Sequence, residues 1–181
     1  MELKDLEKGS LTLIEGRDHR AISSMAVEVV SVEEKKALIM DGSQTINPYF
    51  MVRECKSKGL DEKKVLKNIM ISRAFTAYQY EDLIRKAEER LDDEEIIFLG
   101  AVALTPIFED EEMSEEEGRW LRSRSIKKVK SLVKEKELYG AIVDPEIEML
   151  ESIDKKDERT FFEQKSRMKK YMNTLDASSF G

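Results

Sequence analysis

Leu11-Thr-Leu-Ile-Glu15 is an apolar run of strand type, and Ser24-Met-Ala-Val-Glu-Val-Val30 has helical character. The eight residues Gly16 to Ser23 separate them. Strand, eight-residue loop and helix is the layout of a phosphate-binding loop, G-x-x-x-x-G-K-[ST]. That layout calls for an α/β fold with the loop at the carboxyl end of a strand. Only half of the working residues are present. Gly16 is the first glycine and Ser23 the hydroxyl, but Ala21 stands at the second glycine and Ile22 at the lysine.

The rest of the chain keeps the alternation that such a loop requires. Ala37 to Met40 reads as a second strand and Asp41 to Ile46 as a loop. Asn47 is placed as an N-cap with Pro48 at the first helical position, which predicts a helix to about Lys58, stopped by Gly59. Asp61 starts a short helix to Lys67. Asn68 to Arg73 is a third strand, Tyr78 to Leu91 an amphipathic helix, and Glu95 to Ala103 a fourth strand. That fourth strand is apolar throughout, as a strand covered on both faces should be. Ser114 and Glu117 form a capping-box pattern ahead of a long helix whose apolar stripe is Leu121, Val129, Leu132 and Val133. Tyr139 to Val143 is a fifth strand, and a last helix is expected over 158–172. The pattern predicts a three-layer α/β domain over residues 1–175, with a loose tail at 176–181. Its sheet is mostly parallel, with about five or more strands and helices on both faces.

Composition narrows the function classes. The 181 residues carry a net charge of −7, which argues against general affinity for nucleic acid. Three prolines and eight glycines leave little room for linkers. The single cysteine, Cys55, excludes an internal disulfide framework and fits a reducing cytoplasm. It follows Met51 by one helical turn, so a packed thiol is expected rather than a nucleophile. His19 is the only histidine, which leaves neither a zinc site nor a catalytic triad to assemble, and no metal is expected. No apolar run reaches the length of a membrane span.

The segment from Gly59 to Gln79, with Gly59-Leu-Asp61, Val65-Leu-Lys-Asn-Ile69 and Ser72-Arg-Ala-Phe75, resembles the RecA/RadA recombinase family, archaeal branch. Asp41-Gly-Ser-Gln-Thr-Ile-Asn-Pro48 is similar to that family's D-T-E-G-T-F-R-P. Leu104-Thr-Pro-Ile-Phe108 is similar to the S-L-T-A-L-F after its Walker B strand. The resemblance covers about residues 8 to 145 and implies a RecA-like P-loop core.

Carried over one at a time, the residues that the resemblance implies for catalysis are replaced. The P-loop lysine falls on Ile22, and an alkyl group cannot offset phosphate charge. The glutamate that activates water falls on Ser43, a far weaker base. The Walker B aspartate falls on Gly100 or Val102, depending on strand register, and neither offers an acceptor side chain to a metal. The resemblance therefore implies a pseudo-ATPase with no catalytic residue retained. The loop residues left to hold an anion are Gly16, Arg17, Arg20, Ser23 and Ser24, the last two as hydroxyls at a helix start. The plainer reading of Arg17, Asp18, His19 and Arg20 is a solvated loop. No cofactor is therefore expected, with ATP or phosphate as the open alternative.

The family's two DNA loops follow its fourth and fifth strands. Here the first is Glu109 to Glu117, with seven acids in nine residues, and the second begins Asp144-Pro-Glu-Ile-Glu148. Acids facing a phosphate backbone repel it, so DNA binding through these loops is disfavoured. Basic residues gather on the long helix, from Arg119 to Lys136, and over 155–170; each reads as a solvated face unless the two adjoin. No N-terminal DNA-binding domain and no linker with a Phe-x-x-Ala polymerisation motif are expected. The expected role is an interaction or regulatory protein in the cytoplasm, as a homo-oligomer or with an active RecA-family partner. The alternative is a nucleotide- or phosphate-binding module without hydrolysis.

Overall fold

The computed structural model describes residues 6–16, 19–109 and 113–145. The helix expected over 158–172, the domain boundary at 175 and the tail lie outside the described residues. In chain order the elements are β1 (Leu11–Glu15), α1 (Arg20–Glu33), β2 (Lys36–Asp41), α2 (Pro48–Ser57), α3 (Glu62–Leu66), β3 (Ile69–Arg73), α4 (Ala77–Asp93), β4 (Ile96–Val102), α5 (Leu104–Ile107), α6 (Glu115–Glu135) and β5 (Tyr139–Asp144).

The five strands form one parallel sheet in the order β1-β5-β4-β2-β3. Every residue of the central strand β4 is buried, whereas the edge strands β1 and β3 are half-buried. Continuous apolar sequence in β4 follows from its two covered faces. Helices α1, α2 and α3 pack on one face, and α4 and α6 pack together on the other. From β2 the chain moves outward to β3, and from β4 it moves the opposite way to β5. The carboxyl ends of β2 and β4 thus flank a topological switch point, the usual ligand position in such sheets.

Local chemistry explains the helix starts. The side chains of Asn47, Asp61, Thr76 and Ser114 each accept a backbone N–H in the first turn of the helix that follows. Each satisfies a donor that would otherwise be orphaned. Gly59 stops the α2 region at φ +68°, a conformation that glycine adopts without a Cβ penalty.

Helix α1 is longer than the sequence pattern suggests. It begins at Arg20 rather than Ser24 and continues through the polar residues Ser31 to Glu33. Its buried side is Ile22, Ser23, Met25, Ala26, Val27, Val29 and Val30. Helical geometry from residue 20 is what turns Ile22 onto the sheet. The short α5 turn was not expected from the sequence; it follows Ala103, which has left-handed φ, and contains Pro106.

Candidate functional site at the carboxyl edge

The loop after β1 is tied to the sheet by Gly16, whose N–H donates to the Asp144 carbonyl at 2.9 Å. Arg17 lies outside the described residues. Arg20 is exposed at the first position of α1, Ser24 is half-buried, and Ser23 is buried. A cavity of about 160 Å³ lies here, lined by His19, Arg20, Ser23, Thr45, Ile46, Asn47 and Phe50. The structure therefore brings Arg20 and Ser23 together beside the β2–α2 loop, while Ser24 is not among the lining residues. The Ser23 hydroxyl donates back to the His19 carbonyl at 3.5 Å, a long bond within its own helix.

Ile22 does not face the cavity. It is fully buried in an apolar cluster with Ala26, Ile39, Phe98, Val102, Ala141 and Val143. A Cβ built on Gly100 would lie 2.9 Å from Ile22 Cγ2 and 3.0 Å from the Phe98 ring. Gly100 pairs with Ile39 and Ala141, and Val102 with Val143, so both candidate Walker B positions turn toward α1 and Ile22. The choice of strand register then changes nothing: each position is part of the same apolar contact.

Asp41 ends β2 fully buried and organises the loop that follows. One carboxylate oxygen accepts from the Ser43 N–H at 3.1 Å and the Ser43 hydroxyl at 2.9 Å. The other accepts from the Ile46 N–H at 3.0 Å. Arg73, from the end of β3, donates to the Ile46 carbonyl at 2.8 Å and pairs with Asp41 at 3.5 Å. Ser43 thus uses its hydroxyl proton on a carboxylate.

Two further polar residues at this edge escaped sequence reasoning. Asp144, counted above as the start of an acidic loop, is in fact the last residue of β5 and fully buried. Its carboxylate accepts from the Thr105 N–H at 2.7 Å, so it caps the α5 turn instead of facing solvent. Residues 146–148 of that loop lie outside the described residues. Tyr80 is buried beneath the edge, with its hydroxyl 3.4 Å from the Met40 carbonyl. Burial first, and then the charges of Asp41 and Asp144, push its phenol far above the ordinary range. The recurrence of Ala77, Tyr80, Ile84 and Ala87 at helical spacing marks Tyr80 as inward-facing. For Asp144 no such signal exists.

Three basic residues of α6 and its C-cap reach across to α4. Arg124 pairs with Glu81 at 3.6 Å, Lys128 with Glu88 at 2.6 Å and Lys136 with Asp92 at 2.5 Å, all across to α4. Among the described residues no helix is long and apolar enough to cross a membrane, and no three histidine, cysteine or acidic side chains gather as metal donors.

A family model described as Rad51 matches residues 21–141, from the first turn of α1 into β5. No curated protein matches the chain in sequence.

Proposed function

The chain belongs to the Rad51 family of RecA-like proteins, and we propose that it acts as an interaction or regulatory protein that does not hydrolyse ATP. The reading is of a pseudo-ATPase, in the cytoplasm, that pairs with itself or with an active RecA-family ATPase. One observation carries it: the side chain at the P-loop lysine position, Ile22, is fully buried against Gly100. Magnesium and a nucleotide do not fit the residues around that contact. Neither Ile22, Gly100 nor Val102 has a side-chain atom to hold phosphate charge or a cation. Ser43, at the position of the water-activating glutamate, donates to Asp41 and so offers no base. A scaffold kept without these groups is of use through its surfaces.

Phosphate release from Mg-ATP, alone and with an active RecA-family ATPase, tests the proposal. No release by the chain itself, with the partner's turnover altered by its addition, is the expected result. Turnover by the isolated chain that disappears in an Arg20→Ala, Ser23→Ala variant would overturn it.

The cavity beside Arg20 and Ser23 favours a second reading, a module that holds a nucleotide or phosphate without hydrolysis. Unfolding temperatures that ignore Mg-ATP, Mg-ADP and phosphate would remove that reading.

A further inference from the structure

Two internal arrangements shape the carboxyl edge of the sheet. On one side, Ile22 and Gly100 form a contact in which each fixes the other. Isoleucine needs the missing side chain, since a Cβ at position 100 would come within 2.9 Å of its Cγ2. On the other side, the β2–α2 loop is closed around Asp41, whose two oxygens take the N–H groups of Ser43 and Ile46 and the Ser43 hydroxyl. Arg73 holds the same loop from β3 through the Ile46 carbonyl. The donors of the β2–α2 loop, the N–H groups of Ser43 and Ile46 and the Ser43 hydroxyl, are thus used by the protein.

We infer that the Ile22–Gly100 contact and the Asp41–Arg73 clamp make this crevice a permanent part of the fold, so that its shape is constitutive and not switched by nucleotide. This rests on the non-hydrolysing reading above and adds to it how the site is regulated. A ligand shifts a conformational equilibrium only through unequal affinity for two states. Here the first turn of α1 is ordered by apolar contact, and the loop after β2 by an internal carboxylate. Neither needs a phosphate to take its shape. Ile22 and Gly100 are then the specificity-determining pair: they trade charge recognition for packing.

Hydrogen exchange on the full chain tests this, with and without millimolar Mg-ADP and, separately, pyrophosphate. The amides of Ser24 to Val27 and of Ile46 should be protected as strongly as those of β4, with no change on adding either probe. Protection that appears only with a probe would overturn the inference. A double-mutant cycle gives an independent reading. Gly100→Ala should lower the unfolding midpoint by several degrees in the natural background and by clearly less in an Ile22→Ala background. Additive shifts would contradict the pairing. The two proposals fail differently. Phosphate release from ATP sinks the non-hydrolysing reading, whereas probe-induced protection without release sinks only the constitutive one.

Discussion

The two faces of the sheet are built from different chemistry. On the α1 face, a compact apolar interface sets Ile22, Met25, Ala26, Val29 and Val30 against β4 and β5. On the opposite face, α4 and α6 bury a narrower stripe and are joined at the rim by the pairs Arg124–Glu81, Lys128–Glu88 and Lys136–Asp92. Buried apolar area is where stability resides, while exposed ion pairs contribute little each. The face that holds Ile22 is therefore the one most committed to the core. The opposite face carries its charge at the rim, in pairs within the chain.

The sharpest way to break this comparison is Ile22→Lys. An ammonium at that point would enter an apolar cluster with Gly100 and Val102 as its neighbours, and a buried unpaired charge costs about 3–5 kcal/mol. Chemical denaturation should show a loss of that size or outright failure to fold. A near-neutral result would mean that the α1 face is not core. Next comes Gly118→Ala on the other face. An added Cβ would lie 2.1 Å from the Phe108 carbonyl oxygen, so backbone must move. Overpacking of this kind costs about 1–3 kcal/mol, which outweighs the roughly 1 kcal/mol that alanine gains over glycine in a helix. A stabilised variant, read from the denaturation midpoint, would show that α6 can slide and that its face is looser than drawn.

Lys128→Ala should matter much less, about 0.2–1 kcal/mol, because both partners of its ion pair are partly exposed. Added salt should shrink that difference further. A loss as large as that of Gly118→Ala would place the charged rim on a par with the core.

The smallest effect is a pH dependence at the base of the α1 face. Glu33 is held below the ordinary glutamate range, first by its hydrogen bond from Lys8 and then by that from the Tyr139 hydroxyl. A depressed acid stabilises the fold above its unfolded pKa, and that contribution is lost as pH falls through the folded value. Wild-type unfolding midpoints should therefore drop on the acid side of the glutamate range by slightly more than those of Glu33→Gln. Parallel curves would remove Glu33 from the account.

Much of the scaffold was legible because it rests on local rules. The apolar run Ile96 to Val102 announced a central strand, and Asn47, Asp61 and Ser114 announced helix starts by their side-chain oxygens. The start of α1 was misplaced by four residues because a motif boundary was taken as a helix boundary. Burial of Ile22 against the sheet overrode it, and that is a tertiary effect. Ile22 at the lysine position, and Gly100 or Val102 at the Walker B position, could be read from the chain one by one. That they touch could not, because their contact depends on the placement of α1 over β4. Asp144 shows the same limit: an acid next to Pro145 reads as loop, and only the strand order reveals that it is buried and bonded to Thr105.

The central claim is that Ile22, at the position of a P-loop lysine, is core and leaves no nucleotide site. The most direct test is the unfolding midpoint of the wild-type chain with increasing Mg-ATP. A ligand at a hundred times its dissociation constant stabilises by about 2.7 kcal/mol, which would raise the midpoint by several degrees. The account predicts no shift up to millimolar ligand. A midpoint that climbs steadily with the logarithm of ligand concentration would contradict it.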